Sequence, residues 1–428
     1  MRLGGRLQAA IEVLEDMDKR HRPAADALKD WGVSHRFAGS GDRSAIGNFA
    51  YDALRLKRSA AWKLGGEGPR SAVLGALMIR TGMTPDGLVA ELEGDSHAPE
   101  PLTGAERQAW QSRNLTDAPD AVRADLPDWT APLLAEAFGA EWVTEAAALA
   151  ERPPLDMRVN THLSTREKVL AELADTGASA SALAPHGIRI APIAGHGRHP
   201  NVQAEPAFQK GWFEIQDEGS QLAAHLAAPE NAAQVLDYCA GGGGKTLALS
   251  AAMANKGQIF AHDTEKVRLA PIFERLKRAE CRNVQVITPR ELAGHEAMMD
   301  LVLVDAPCTG SGTWRRRPDA KWRLSERQLA VRCGEQAAIL AKASAFVKPG
   351  GRLAYVTCSV FAEENHKQIA AFLAANPGFA PVDHQALWAA KVPDGALPNV
   401  GAHGLTLSPV RTGTDGFFFS LLERRMGT

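Results

Sequence analysis

Two cysteines in this chain stand where chemistry would place them. Cys308 follows Asp305-Ala306-Pro307 at the end of the apolar run LVLVDAPC, and Cys358 follows the run LAYVT in LAYVTCS. Both runs read as buried strands, and in open α/β sheets ligands gather outside the carboxyl ends of the strands. A single buried cysteine is commonly structural; two, each directly after a strand, are less readily explained that way. A pair of thiols at such an edge has a specific use. A thiolate adding to C6 of cytosine saturates the 5,6 double bond and makes C5 enamine-like, able to take a methyl group from a sulfonium donor. Removal of the C5 proton then expels the thiolate. A free thiol ionises near ~8.5, so the site must lower that value or find a base. Lys245 and nearby helix N-termini are placed to help, and Asp305 to hydrogen-bond the exocyclic amine and ring N3 of the pyrimidine.

A glycine run, VLDYCAGGGGKT, lies between a buried strand and a helix. Glycines admit a ligand close to the backbone, and the helix start offers free N–H groups. A Walker A loop needs glycine five residues before Gly244; that position is Cys239, so the pattern fails. The next strand ends in Asp263, at the spacing of an acid that accepts from both ribose hydroxyls. A ribose-containing cofactor fits, with NAD and S-adenosylmethionine both open on these residues alone.

The elements that must hold these groups follow from periodicity. From Gly211 onward strands and helices alternate: strands at Gln234–Tyr238, Gln258–His262, Val284–Ile287, Leu301–Val304 and Arg352–Val356, with helices at Lys245–Met253, Lys266–Ala279, Ser325–Phe346 and Glu363–Ala375. That alternation predicts a mostly parallel sheet covered on both faces. Gly416–Leu422 follows no helix and is expected to close the sheet antiparallel. The first hundred residues read as helices. Leu7, Ala10, Ile11, Leu14 and Met17 form one stripe, Asp42 is a candidate N-cap for a helix burying Ile46, Phe49, Ala50, Ala53 and Leu54, and further helices are expected at Arg70–Arg80 and Thr130–Phe138. Pro153-Pro154 marks a boundary. Beyond it come a short strand, a helix capped by Ser164 or Thr165, and the alternating GIRIAPI. The expected domains are residues 1–145, helical; 150–205, a small α+β unit; and 206–428, catalytic.

Composition excludes other classes. The 428 residues are 45% hydrophobic and 23% charged, ordinary for a globular chain. The N-terminal segment has no apolar core, no window is long enough for a membrane span, and five cysteines without CxxC spacing make neither a zinc site nor a disulfide framework. The expectation is a cytoplasmic monomer with no metal and no membrane association. Net charge is −2, but Asp86–Glu145 holds thirteen acids and three arginines, so the remainder carries +8. A polyanion needs a local basic surface, not a basic average.

The motifs together resemble the Sun family of RNA 5-methylcytosine methyltransferases, in particular the bacterial ribosomal RNA small subunit methyltransferase B group. The resemblance rests on FEIQDEGSQL, VLDYCAGGGGKT, HDTEKVRL, DLVLVDAPCTGSGTWRRRPD, VTCSVFAEEN and DGFFFSLL, spanning about Phe213 to Leu422, with RVN at Arg158–Asn160 ahead of them. It implies a Rossmann-like fold that binds S-adenosylmethionine, held by Cys239, Ala240, Gly241, Gly242, Gly243, Gly244, Lys245, Asp263, Arg268 and Asp305. It implies Cys358 as nucleophile and Cys308 as the thiol that assists product release, a choice the spacing alone leaves open. The expected activity is methylation of cytosine C5 in RNA, with 16S ribosomal RNA as first-choice substrate. Transfer RNA is the alternative, as is a non-catalytic RNA-binding assembly factor; a dehydrogenase would leave both cysteines unexplained. Two departures stand out. Gly241-Gly242 replaces the family's Ala-Pro, which predicts a more flexible loop, and the acid after the third strand is missing from VITPRELAG, with Glu291 the nearest stand-in. The N-terminal third resembles a NusB-like RNA-binding domain through DRSAIGNFAYDALR. In WRRRPDAKWRL, Arg315, Arg316, Arg317, Lys321 and Arg323 are expected to grip RNA phosphates, and Trp314 and Trp322 to stack on a base.

Overall fold

The computed structural model describes residues 1–195, 197–229 and 233–426. It divides into two compact units. The first is Met1–Pro153 with Pro192–His199 and Trp314–Leu324; the second is Pro154–Ala191, Pro200–Thr313 and Ser325–Thr428.

The first unit is helical. The stripe Leu7, Ala10, Ile11, Leu14 and Met17 is buried on the helix Leu3–Arg20, against Ile46, Phe49, Ala53 and Leu54 of the helix Ser40–Arg55 and Val73 and Leu77 of the helix Pro69–Thr81. The helix expected to start after Asp42 starts three residues earlier, at Ser40. Asp42 lies in its first turn, where its carboxylate meets the positive helix end and pairs with Arg6 and the Met1 amine.

Trp314–Leu324 joins this unit, and that corrects part of the RNA-binding expectation. Arg315 is 5% exposed and Lys321 1%. Lys321 Nζ donates to the Arg55 carbonyl at 3.2 Å and Trp322 Nε1 to the Leu54 carbonyl at 2.7 Å, while Arg55 Nη2 donates to the Arg315 carbonyl at 2.7 Å. Leu54 and Arg55 end a helix, so their carbonyls lack partners further along it. Lys321 and Trp322 supply those donors, and the Arg55 guanidinium in turn holds the Arg315 carbonyl, which draws Arg315 and Lys321 off the surface. Trp314 is likewise buried; Arg317 is exposed, and Arg323 pairs with Asp319 at 2.8 Å.

The second unit carries two sheets. The small one is antiparallel, in the order β2-β3-β1-β4: β1 is Leu155–Val159, β2 Ala178–Ala180, β3 Gly187–Ile190 and β4 Phe213–Ile215. Thr165 caps its helix, Arg166–Glu172, by accepting from Lys168 N. Strand β4 lies beyond residue 205, so the small sheet takes one strand from the segment assigned by sequence to the catalytic part.

The large sheet contains β5 (Gln234–Asp237), β6 (Gln258–Ala261), β7 (Val284–Val286), β8 (Met299–Asp305), β9 (Val347–Thr357), β10 (Phe379–Pro381), β11 (Asn399–Gly401), β12 (Gly404–Leu407) and β13 (Phe417–Arg424). The order is β11-β12-β13-β9-β8-β5-β6-β7, with β10 also paired to β13. Strands β5 to β9 run parallel, and β13 pairs antiparallel with β9, Phe418 opposite Thr357. Alternate residues feed two cores, as strand pleating requires. Val235, Leu303, Ala354 and Val356 pack with Leu222, Leu226 and Leu249 from helices on one side; Leu236, Val302, Val304 and Tyr355 pack with Leu340, Ile369 and Phe372 on the other. The helix expected over Lys266–Ala279 is broken into Lys266–Leu269 and Ile272–Arg278 around Pro271, whose ring lacks the N–H a continuous helix needs. Among the described residues no helix is long and apolar enough to cross a membrane.

Candidate active site

From β5 the chain runs outward through β6 to β7, then returns to place β8 on the other side of β5. The crevice at such a reversal is where open α/β sheets bind ligands. The glycine loop leaves β5 there, and Asp305 ends β8 there.

Local geometry explains the glycines. Gly241 and Gly243 have φ of 49° and 81°, and a Cβ on Gly243 would lie 2.4 Å from Ile272 Cγ1. The N–H of Gly241 donates to Asp263 Oδ2 at 3.0 Å, and a Cβ there would come within 3.9 Å of both Asp263 and the Arg268 guanidinium. Asp263, Arg268 and the loop are thus brought together. Ala240 is tied back by its N–H to the His262 carbonyl at 2.8 Å. Burial, with the charges of Asp237, Asp305 and Asp263 behind it, pushes the Cys239 thiol up, so it stays protonated.

Lys245, the second residue of the helix Gly244–Ala252, reaches across to Asp305 Oδ2 at 2.7 Å. Burial opposes its charge, but Asp305, with Cys358 nearby, outweighs that and raises its pKa. Beneath the loop, burial pushes the Asp237 carboxyl up to about 7 against a hydrogen bond from Thr246. Asp237 Oδ1 is buried with no hydrogen-bond partner.

Because β8 and β9 are parallel neighbours, their carboxyl ends deliver both thiols to one place. Cys308 Sγ lies 3.3 Å from Cys358 Sγ, and both cysteines are free. The hydrogen bond to Cys358, then burial, raises the Cys308 pKa well above the ordinary thiol value. The turns that carry them are braced together. Gly312 N donates to the Cys358 carbonyl at 3.0 Å, and the Ser311 and Ser359 hydroxyls meet at 2.9 Å. Thr357 Oγ1 donates to Asn365 Oδ1 at 2.6 Å, fixing the turn after β9.

Two residues that sequence reading missed hold this arrangement. Glu364, fully buried, accepts from Thr309 N at 2.8 Å, from the Thr309 hydroxyl and from Gln336 Nε2 at 2.9 Å, which clamps the residue next to Cys308. Arg275 donates to the Gly242 carbonyl at 2.6 Å and pairs with buried Glu214 of β4 at 3.2 Å. The Gly241-Gly242 loop, expected to be flexible, is therefore latched from outside. The first residue was hidden within an EEN run, the second within an ordinary amphipathic helix; neither carries a local signal of its partner.

Glu291, the nearest stand-in for the missing acid, is engaged in its own turn. Its carboxylate accepts from Thr288 N at 2.7 Å and the Thr288 hydroxyl at 2.8 Å, and Thr288 accepts from Glu291 N in return. This capping box serves the start of its own short helix. Arg158 of the RVN segment is buried beside Gln216, which accepts from its Nε at 2.7 Å; burial lowers its pKa to about 10. It is a structural link between β1 and the turn after β4.

The residues fit an S-adenosyl ligand. Gly241 to Gly244 leave the loop bare of side chains, Asp263 is pinned beside it by the Gly241 N–H, and Asp237 at its root keeps a buried carboxylate oxygen without a partner. Comparison with known proteins agrees. The family described as 16S rRNA methyltransferase RsmB/F matches residues 224–423, and the RsmF/B-like ferredoxin-like domain matches 126–193. The chain is 37% identical over 273 residues to the ribosomal RNA small subunit methyltransferase B of Enterobacter sp. (strain 638), covering 62% of each protein. To that of Sodalis glossinidius it is 36% identical over 315 residues, covering 70% of this chain and 67% of the other. The chain thus spans about six tenths to two thirds of the length of these relatives. The crystal structure of PH0851 superposes with a TM-score of 0.73 at 26% identity over 99% of both chains. Likeness of this extent, in sequence and in fold, puts the chain in the Sun family of S-adenosylmethionine-dependent methyltransferases, the family of the ribosomal RNA small subunit methyltransferases B.

Proposed function

We propose that the protein methylates C5 of a cytosine in RNA, with 16S ribosomal RNA as substrate, through a covalent adduct on Cys358. The observation that carries this reading is the 3.3 Å approach of two free thiols at the ends of adjacent parallel strands, next to the Lys245–Asp305 pair. S-adenosylmethionine supplies an electrophilic methyl group when bound. Asp263 and Arg268 would hold its ribose end and the glycine loop its main length; Asp237 offers a free buried acceptor to its amino end.

The protein's own groups do the rest. The Cys358 thiolate forms a bond to C6, and the electron pair of the 5,6 double bond moves toward C5. Lys245 is kept cationic chiefly by Asp305, with Cys358 close enough to add to the effect. Asp305 keeps its other oxygen for the pyrimidine edge. Cys308 retains its proton and donates to the Cys358 sulfur, so it can stabilise the thiolate that leaves once a base from solvent has taken the C5 proton. Of the basic segment, Arg317 and Arg323 remain on the surface, with Arg316 half-buried, as candidates for phosphate contact.

The test is mechanism-based trapping. Fluorine at C5 cannot leave as a cation, so 16S ribosomal RNA transcribed with 5-fluorocytidine should form a denaturation-resistant complex with the wild type in the presence of S-adenosylmethionine. Cys358→Ala should form none. Trapping that persists in Cys358→Ala moves the nucleophile to Cys308; trapping on transfer RNA alone changes the substrate; and no trapping in the wild type favours a non-catalytic assembly factor.

A further inference from the structure

The first unit holds a groove of about 670 Å³ that none of the motifs above explains. Lys57, Arg58 and Arg113 line it together with Trp62 and Trp322, and Glu67 is the acid in the lining. The Arg113 guanidinium lies 5.5 Å from the Trp62 ring centroid and the Lys57 ammonium 5.5 Å from that of Trp322. Both indoles are pinned by their N–H groups, Trp62 to the Asn114 carbonyl at 3.3 Å and Trp322 to the Leu54 carbonyl at 2.7 Å. Their rings are therefore fixed flat surfaces rather than mobile side chains.

The charges lean one way. Arg58 Nη1 donates to the Leu126 carbonyl at 2.8 Å and pairs with Asp128, whose side chain is 80% exposed, and a pair so open to water contributes little. Gly68, also in the lining, precedes the helix Pro69–Thr81, and no side chain caps that helix start. Cations suit any polyanion. Cations set beside fixed aromatic faces suit one whose units are flat, since each unpaired base has a face to stack and each phosphate a charge to neutralise.

We propose that this groove binds a single-stranded RNA segment, with Trp62 and Trp322 stacking on bases and Lys57, Arg58 and Arg113 meeting phosphates. The proposal rests on the RNA reading of the active site but concerns a separate surface, reached by Trp322 from the segment whose Arg315 and Lys321 turned out to be buried.

The experiment measures binding of a fluorescein-labelled mixed-sequence 12-nucleotide single-stranded RNA to the full chain by anisotropy across a salt series. Lys57→Gln with Arg113→Gln should weaken binding about tenfold near 0.1 M salt. It should also flatten the log–log salt slope by about 1.4, at ~0.7 per lost phosphate contact. Trp62→Leu should weaken binding roughly tenfold with the slope unchanged, and Trp62→Phe should restore most of it. Helical circular dichroism and S-adenosylmethionine affinity should be unchanged in all three. Wild-type binding in both the charge variant and Trp62→Leu overturns the groove while leaving the methyltransferase reading intact. A wild type that neither binds this RNA nor traps 5-fluorocytidine overturns both. Loss in the charge variant alone, with polyglutamate displacing the RNA efficiently, overturns the proposal in favour of an acidic protein partner.

Discussion

The sulfur of Cys308 lies 3.3 Å from that of Cys358 although fifty residues separate them, because β8 and β9 run parallel and end level. The two thiols are not equivalent. Hydrogen bonding to Cys358 and burial hold the proton on Cys308, with the charge of Glu364 adding to the effect. Thiolates, not thiols, react with alkylating agents. Iodoacetamide at pH 7.5 should therefore label Cys358 well before Cys308, as read by peptide mass spectrometry over time. Faster labelling of Cys308 would reverse the assigned roles.

Asp263 accepts from Gly241 N and Glu265 N and lies beside the glycine cradle. Removing the acceptor for a pair of ribose hydroxyls costs about 1–3 kcal/mol. For Asp263→Ala, calorimetry should show S-adenosylmethionine affinity falling roughly ten- to a hundredfold. An unchanged affinity would place the ribose elsewhere.

Arg275 latches the Gly242 carbonyl to Glu214 without lying on the ligand side of an assigned contact. Hydrogen bonds to charged groups contribute about 1.5–3 kcal/mol. Arg275→Met should raise the apparent KM for S-adenosylmethionine by roughly an order of magnitude, with the melting temperature little changed. Arg275→Lys, which keeps a cation near both partners, should recover part of that loss. Equal KM values in the three proteins would show that the loop holds its shape without the latch.

Lys321 offers a pH test of its burial. Burial lowers its pKa to about 8, with Asp125 pulling the other way, whereas an unfolded lysine titrates near ~10.4. Between about pH 8 and pH 10 the unfolded chain holds a proton that the folded chain has released, so this residue's contribution to stability is full above ~10.4 and is lost as pH falls through about 8. From pH 8 to pH 10 the urea unfolding free energy of the wild type should climb relative to Lys321→Met, by up to about 3 kcal/mol. Parallel profiles would mean that the ammonium stays in water.

The parts of this protein that are written locally were legible from its residues. Apolar runs of strand length, separated by helical periods, fixed β5 to β9 and the antiparallel β13, because pleating and helical winding impose their own spacing on the chain. Glycines at positive φ after β5, an acid at the end of β6 and thiols after β8 and β9 were readable because each sits at a defined step from a strand end. Tertiary structure decided what depends on partners distant in sequence. Five basic residues in one short segment read as surface charge, yet Lys321 and Arg315 are interior because the end of the helix Ser40–Arg55 takes partners 260 or more residues away: Lys321 Nζ donates to the Arg55 carbonyl, and the Arg55 guanidinium donates to the Arg315 carbonyl. Glu291, the nearest acid by sequence, makes a capping box with Thr288 that the sequence reading did not anticipate. Arg275 reads as one more helix arginine and holds the cofactor loop through Gly242 and Glu214. Periodicity reports which face of an element is apolar; only the packed chain shows which polar atoms were left without partners and which distant side chain came to satisfy them.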